Sequence, residues 1–251
     1  MNAMFIYIDR GVNFMKKRFL LIICVLMCFS VFAQTDWGES IDWKKGFYIY
    51  AAGTNLELNE NQEIFLIYNY FYDDWKQFHN DEFEWKDRKA QNLRIINEEI
   101  ESNKNYRDRN YYIVTSKEFG TYDFEKQGYP VTISSGAYFS FDQPFKYDEF
   151  VHYNSVPKIA LWLTDFSKYN FFPMEEKEAR TFQANRKDRY GNIDREIMLV
   201  IHYKIEDFSS TSYKNIKSQF SDTGYQPIVG NITFIEVFDT EGNKLGELIQ
   251  S

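Results

Sequence analysis

The chain has three histidines, His79, His152 and His202, and they do not lie at the short spacings that zinc sites use. Each could act as the base of a Ser-His-Asp site, with a nucleophile from the Ser-Ser-Gly tripeptide at 134–136. The same tripeptide is typical of a turn, and scattered histidines are typical of a surface or a strand face. The GxSxG, GxxxxGK(S/T), GxGxxG and HExxH motifs are also absent. The sequence therefore predicts no catalytic residue, metal ligand or cofactor.

Carboxylates are abundant, with 37 Asp and Glu residues in 251. A glycosidase needs two of them about 5–10 Å apart, and so many acids offer such pairs without specificity. The acidic stretches 73–74, 81–87 and 98–99 are more typical of solvated helix faces. Asp239–Asn243 shares part of a calcium-loop composition, but it lacks the distal glutamate and fits a hairpin turn better.

Two features point to binding. Trp162 falls on the less apolar face of a predicted strand, where it either stacks on a ligand or is covered by a helix. A basic cluster surrounds a glycine turn in an otherwise acidic chain, and it either receives an anionic partner or is an ordinary solvated loop. Its arginines are Arg186, Arg189 and Arg195.

The N-terminus has the three parts of a secretory signal peptide. Residues 16–18 are basic, the apolar run Phe19–Phe32 follows, and a small residue permits cleavage after Ala33. A helix of that run would rise about 21 Å, too short for a hydrocarbon core of about 30 Å. Residues 1–33 are therefore predicted to be a leader, with Met15 as an alternative start. No later segment has eighteen consecutive apolar residues, so no transmembrane span is expected in the mature chain.

Composition limits the class of protein. An apolar fraction of 44% excludes a disordered chain, and a net charge of −8 argues against nucleic-acid binding. The predicted mature chain has a net charge of −11, because residues 1–33 carry four basic residues and one acidic. Both cysteines also lie in the predicted leader, so residues 34–251 can form no disulfide.

The first part of the mature chain, residues 34–110, is predicted to be mostly helical. A short extended stretch is expected at Gly46–Ala52, and a helix at Asn59 or Asn61. An apolar stripe at helical spacing follows, although its aromatic density also permits a strand at 63–72. Its members are Ile64, Tyr68, Phe71, Trp75 and Phe78. The charged stretch 81–102 continues the helical pattern, either as a second helix or as part of one long bent helix.

From Tyr111 onward the hydrophobic period changes to that of strands. A turn is expected at Pro130, and one more helix after Pro173. A hairpin is predicted at the C-terminus. Its first strand carries Ile232, Phe234 and Phe238 in alternation, and its second strand is 244–249. Other strands are predicted at 111–119, 131–133, 137–141, 158–164 and 195–206. The predicted fold is α+β, an N-terminal helical segment followed by a mainly antiparallel sheet with one further helix, and 111–251 is its mainly β domain.

Several short motifs resemble a group of uncharacterised bacterial exported proteins, catalogued as domains of unknown function. They are Tyr122-Asp123-Phe124, Gly128-Tyr129-Pro130, Phe172-Pro173-Met174, Glu178-Ala179, Arg195 and Ile201. The resemblance covers roughly 119–250. It implies a location in the envelope or periplasm and an unassigned, non-enzymatic role, and it carries no catalytic residues.

The sequence thus predicts an exported periplasmic or extracellular protein that binds an envelope protein or a glycan. The alternative is a hydrolase of cell-wall or other glycans that uses paired carboxylates.

Overall fold

The computed structural model describes residues 37–134, 138–141, 156–209 and 225–250. The predicted leader, His152 and two residues of the Ser-Ser-Gly tripeptide lie outside these ranges. Ser134, the remaining residue of that tripeptide, is exposed. The predicted strand 131–133 contributes an isolated bridge, Phe119 to Val131.

The first helix, α1 (Trp43–Thr54), occupies the stretch Gly46–Ala52 that the sequence predicted as extended, so that prediction was wrong. Local capping explains the helix. The Asp42 carboxylate accepts a hydrogen bond from the main-chain N–H of Lys45 at the start. Asn55 ends the helix in the left-handed conformation, and its N–H donates to the carbonyl of Ala51. The aromatic residues that look strand-like are buried in the core instead.

The next three helices are α2 (Glu60–Tyr70), α3 (Tyr72–Phe78) and α4 (Glu82–Ser102). Asn59 caps α2 in a reciprocal pair with Gln62, which confirms the predicted start and excludes a strand at 63–72. Asp81 caps α4 by accepting from the N–H groups of Phe83 and Glu84. Every helix among the described residues is too short or too polar to cross a bilayer.

The strands form a seven-stranded mixed sheet and a three-stranded antiparallel sheet. The strands are β1 (Glu39–Ser40), β2 (Tyr111–Glu118), β3 (Gly128–Pro130), β4 (Tyr138–Ser140), β5 (Lys158–Thr164), β6 (Tyr169–Pro173), β7 (Glu196–Asp207), β8 (Tyr225–Phe238), β9 (Lys244–Glu247) and β10 (Ile249–Gln250). Along the large sheet the order is β1-β2-β7-β8-β5-β4, with β9 beside β8, and the small sheet has the order β10-β6-β3. Two pairings, β1 with β2 and β5 with β8, are parallel, so the expected mainly antiparallel sheet is only partly confirmed.

One further detail differs from the predicted elements, since Pro130 ends strand β3 instead of lying in a turn. The helix predicted after Pro173 is confirmed as α5 (Glu176–Asn185), which lies between β6 and β7. The predicted C-terminal hairpin is confirmed as β8 and β9.

Strand β8 changes the direction of its side chains at a bulge. His202 of β7 pairs with Phe234, but the next residue, Tyr203, pairs with Ile232, so Thr233 is the extra residue. The Thr233 hydroxyl donates to the main-chain carbonyl of His202. The alternation predicted for Ile232 and Phe234 is therefore broken, because the bulge puts them on opposite faces of the sheet.

One face of the large sheet packs against the helices. Helix α1 contacts β5 directly, and α4 contacts α1, α2 and α3. The Tyr50 hydroxyl of α1 also donates to the Gln226 side chain of β8. A single hydrophobic core includes buried residues from both parts of the chain, among them Phe47, Phe65, Ile96, Leu161, Ile201 and Ile235. The opposite side of the sheet is called the outer face below.

Candidate functional site

Arg186, one of the three predicted binding arginines, is half-buried and bonds to other groups of the protein. Its guanidinium donates to the main-chain carbonyl of Glu196 and to the Thr240 hydroxyl, each at 2.6 Å. It also lies over the Phe182 ring, 4.8 Å from the centroid. Arg186 therefore ties the C-terminal end of α5 to the start of β7 and to the turn after β8.

Arg195 is also used internally, since its guanidinium donates to the carbonyl oxygen of Gly120. Arg189 differs from both, because it is exposed and lies over the Tyr190 ring at 4.6 Å from the centroid. The Tyr190 side chain is itself 74% exposed. Of the predicted arginines, Arg189 is the one whose guanidinium projects into solvent with an aromatic neighbour.

Tyr190 lies in a turn, residues 188–192, that is fixed by one carboxylate; we call it the arginine turn. Asp188 accepts from the N–H of Tyr190 at 2.8 Å, the N–H of Asn192 at 2.8 Å and the Asn192 side-chain amide at 3.0 Å. Gly191 supplies the positive φ of 91° that the turn requires. The side-chain hydrogen bond from Asn192, followed by the main-chain bonds, lowers the pKa of Asp188. The ionised carboxylate therefore stabilises the turn above the ordinary pKa of Asp, and this contribution is lost as pH falls through the lowered value.

The turn between β8 and β9, residues 239–243, repeats the same construction; we call it the hairpin turn. Asp239 accepts from the N–H of Glu241, the N–H of Asn243 and the Asn243 side-chain amide. Gly242 has a φ of 89°. The hairpin interpretation of this segment is therefore confirmed, with the carboxylate occupied by donors of the protein itself. Among the described residues, no group of three or more His, Cys, Asp or Glu side chains is arranged to hold a metal.

Both turns have the sequence Asp-x-x-Gly-Asn. The hydrogen bond from Arg186 to Thr240 brings the two turns side by side. This changes the charge of the predicted basic cluster. The exposed side chains on and beside these two turns include the cations Lys187 and Arg189 and the carboxylates of Asp194, Glu196 and Glu241. The surface has mixed charge rather than a single positive sign.

Trp162 lies elsewhere, on the outer face of β5. It pairs with Tyr138 of β4 on one side and Val229 of β8 on the other. Val229 is near the start of β8 and Thr240 follows its end, so roughly 30 Å of extended strand separates Trp162 from the arginine turn. The structure therefore does not combine the predicted binding residues into one site.

A charge cluster lies on the outer face between β7, β8 and β9. We call it the buried cluster because His202 and Glu236 are buried; its third member, Lys244, is 44% exposed. The His202 ring nitrogen Nε2 lies 2.8 Å from Glu236 Oε2, and both side chains are 5% exposed. Lys244 Nζ donates to the other oxygen of Glu236 at 2.6 Å. This hydrogen bond is the main cause of a raised pKa of Lys244. The bulge at Thr233 puts Glu236 on this face.

Aromatic rings surround the cluster. His202 stacks on Phe234 with ring centroids 4.1 Å apart. The Trp37 ring packs edge-on against His202 at 6.2 Å, Tyr112 at 5.6 Å and Phe238 at 6.0 Å. Sequence reasoning treated His202 as a strand-face residue and missed its partner. The available signal was a glutamate within an otherwise apolar strand.

This cluster does not have the parts of the catalytic sites considered from sequence. Among the described residues, Glu236 is the one side chain hydrogen-bonded to the His202 ring, so the imidazole faces no nucleophilic hydroxyl. Glu236 and Glu247 form a close carboxylate pair, but Lys244 Nζ bonds to both, at 2.6 and 3.5 Å. The ammonium thus occupies the space between two carboxylates in which a glycosidic bond would have to lie. The arrangement gives the buried Glu236 carboxylate a charged partner in Lys244, so that its charge is not left unpaired.

Gly38 determines how Trp37 reaches the cluster. It has a φ of +83°, and a Cβ atom placed on it would lie 2.1 Å from the carbonyl oxygen of Asn110. The next residue, Glu39, begins β1 at the edge of β2. Only glycine therefore permits the chain to turn from this edge onto the outer face, where Trp37 packs.

Comparison with known proteins gives one match. Residues 66–186 match a domain of unknown function (DUF4852), which is just under half of the chain. No curated protein and no solved structure matches. The matched segment begins in α2 and ends after α5, so it contains Trp162 and Arg186 but not His202, Glu236 or Lys244.

Replacing Gly38 with alanine should destabilise the protein more than the same change at Gly242. Both glycines have a positive φ, which costs an alanine about 1 kcal/mol. A Cβ at Gly242 meets nothing within 4 Å, whereas at Gly38 it meets main-chain atoms. Urea unfolding of Gly38→Ala and Gly242→Ala measures the difference, and equal losses would contradict the proposed role of Gly38.

Replacing Glu236 with glutamine should lower the free energy of unfolding by about 2 kcal/mol, because Lys244 and His202 lose a buried charged partner. The control is Glu247→Gln, which removes the other, 53% exposed, carboxylate of Lys244 and should cost less than about 0.5 kcal/mol. Urea denaturation at neutral pH measures both. A Glu236→Gln protein as stable as the Glu247→Gln protein would show that the buried cluster contributes little.

Proposed function

We propose that this chain is an exported, non-enzymatic protein that binds another protein of the cell envelope through its arginine turn. The observation that carries the proposal is the exposure of Tyr190, 74%, on a turn whose conformation is fixed by Asp188. An exposed tyrosine on a fixed turn offers a partner both an aromatic ring and a hydroxyl.

Rigidity of the turn favours binding. The Asp188 hydrogen bonds and Gly191 hold the main chain, and Arg189 over the Tyr190 ring restricts both side chains. Binding of a partner would therefore cost little conformational entropy at the arginine turn. Tyrosine and arginine are also the residue types that contribute most strongly to protein interfaces.

The charges around the arginine turn favour a protein as the binding partner over a polyanion. Arg186 and Arg195 donate to groups of this chain, and the remaining cations share the surface with carboxylates. A polyanion would be attracted by a surface of one positive sign. A protein partner can place acidic groups opposite the cations of this surface and basic groups opposite its carboxylates.

A non-enzymatic role is supported by the composition of the buried cluster, in which Lys244 lies between Glu236 and Glu247. Export is supported by the basic, apolar and small-residue order of residues 16–33.

A photo-reactive amino acid placed at Tyr190 of the full-length chain in intact cells should cross-link to a defined envelope protein. The same amino acid at Phe83 is the matched control, since that aromatic side chain is 83% exposed and lies on helix α4. Denaturing gels and mass spectrometry would identify the product. The same product from both positions, or none from Tyr190, would contradict an interface at the arginine turn.

Once that partner is purified, Arg189→Ala should weaken binding about tenfold or more. Arg94→Ala, at an exposed arginine of helix α4, should leave the affinity unchanged. Both residues are exposed, so neither change should alter folding. Calorimetric titration measures the affinities. Equal affinities for both variants would mean that the cross-link reports proximity and not recognition.

The export part of the proposal predicts the N-terminus of the protein recovered from cells. Intact-mass measurement should give a chain that begins at Gln34, because the predicted cleavage follows Ala33. Replacing Ala33 with a bulky residue should cause the uncleaved form to accumulate. Recovery of a cytoplasmic protein that retains residues 16–33 would overturn export without affecting the cross-linking result.

A further inference from the structure

We propose that strand β2 binds an extended segment of another protein as an additional strand of the large sheet. The site is the side of β2 that faces away from β7, between Ile113 and Glu118, and we call it the open edge. The proposal rests on the proposed function only in taking a protein as the partner. The open edge is a different surface from the arginine turn, and its test keeps the two apart.

Main-chain hydrogen bonds at the end of β2 establish which groups point to the open edge. The N–H of Phe119 donates to the carbonyl of Arg195, in the chain that enters β7, at 3.0 Å. The N–H of the next residue, Gly120, donates instead to strand β3 at 2.7 Å. Main-chain groups of successive residues in a strand alternate between its two sides. The N–H and C=O groups of Val114 and Ser116 therefore point away from β7.

The neighbours of β2 on this side are short. Strand β1 pairs with the first two residues of β2, and an isolated bridge joins Phe119 to Val131. Between these two contacts, and within the part of the chain that the structure describes, β2 has a strand beside it only on the β7 side. The open edge is therefore about 20 Å long. Val114 and Ser116 each present one donor and one acceptor along it.

The open edge lacks the features that usually protect an exposed strand from pairing. Strand β2 contains no proline, and its eight residues pair with β7 without a bulge. Its charged residues, Lys117 and Glu118, are confined to the last two positions. Val114, in the middle of the strand, has a side chain that is 42% exposed. A regular strand with an exposed valine and unpaired main-chain groups is suited to accept a further strand.

The chemistry of the open edge selects an extended peptide as its ligand. Donors and acceptors recur along it at the spacing of a main chain, so an extended segment of about five residues can bond to them. The residue opposite Val114 should be apolar and the residue opposite Lys117 acidic, because side chains that face each other across a ladder interact. A second copy of this chain is disfavoured by the net charge of −8, which makes two copies repel each other.

A photo-reactive amino acid placed at Val114, and in a second protein at Ser116, tests the site in the full-length chain in intact cells. Both side chains are exposed, and they lie two positions apart on one face of β2. In an added strand they should cross-link to residues of one partner protein that are also two positions apart. The same amino acid at Phe234 is the control, because Phe234 is 39% exposed but belongs to β8, which lies inside the sheet. Mass spectrometry of the cross-linked peptides locates the residues.

The segment identified in this way, prepared as a synthetic peptide, is then titrated calorimetrically. Val114→Pro should weaken its binding about tenfold, because proline removes the N–H at the open edge. Val114→Thr, which keeps the N–H and the shape of the side chain, should bind as the unmodified protein does. Proline is tolerated where the N–H of an edge strand faces solvent, and circular dichroism checks folding. If Val114→Pro does not fold, Ser116→Pro and its control Ser116→Ala replace this pair.

Three results would overturn strand addition. They are cross-links that scatter over the partner's surface, cross-links to a second copy of this chain alone, and equal affinities for the proline variant and its control. The outcome is separate from that at the arginine turn. A product from Tyr190 with none from Val114 contradicts only the open edge, and a product from Val114 with none from Tyr190 contradicts only the arginine turn.

Discussion

The bulge at Thr233 in β8 is the constraint on which the rest of the large sheet depends. Before it, Ile228 and Ile232 face the helices; after it, Ile235 and Val237 do. A strand of fourteen residues with strict alternation could not keep all four in the same core. The extra residue shifts the alternation of side chains by one position, so that Ile235 and Val237 face the core. It also directs Glu236 to the outer face, where its carboxylate contacts His202 and Lys244. One irregular residue thus determines both the packing of the core and the position of the buried charges.

The two Asp-x-x-Gly-Asn turns apply a similar principle at the surface. In each, one carboxylate holds the main chain of the turn, so the positions at the tip need not contribute to stability. The Arg186 guanidinium donates a hydrogen bond to Thr240 and so joins the two turns. Arginines that looked equivalent in sequence have different roles for this reason. Arg186 and Arg195 stabilise the fold, and Arg189 remains at the surface beside Tyr190.

The segment that matches the domain of unknown function is not a complete sheet by itself. It contains β2 and β5, but these strands are joined only through β7 and β8, which follow residue 186. The core likewise includes Phe47 of α1, which precedes the match. The structural unit that buries the hydrophobic face of this sheet therefore extends well beyond both ends of the matched segment.

The sequence alone determined the elements whose signals are local. Asn59 and Asp81 mark helix starts because a side chain caps its own helix, and β5 and most of β7 are found where alternation is regular. The hairpin turn follows from Gly242 and Asn243. Helix α1 was missed because its aromatic residues favour strands locally and become helical through capping and burial against β5.

Only the tertiary structure decided which residues meet. The parallel pairing of β5 with β8 joins residues more than sixty positions apart, and no local pattern specifies it. The same pairing puts Trp162 beside Val229, and the bulge creates the contact between His202 and Glu236. Local hydrogen bonds and periodicity are short-range effects that a sequence displays directly. Strand order and side-chain partnership depend on burying one common core, which requires the whole chain.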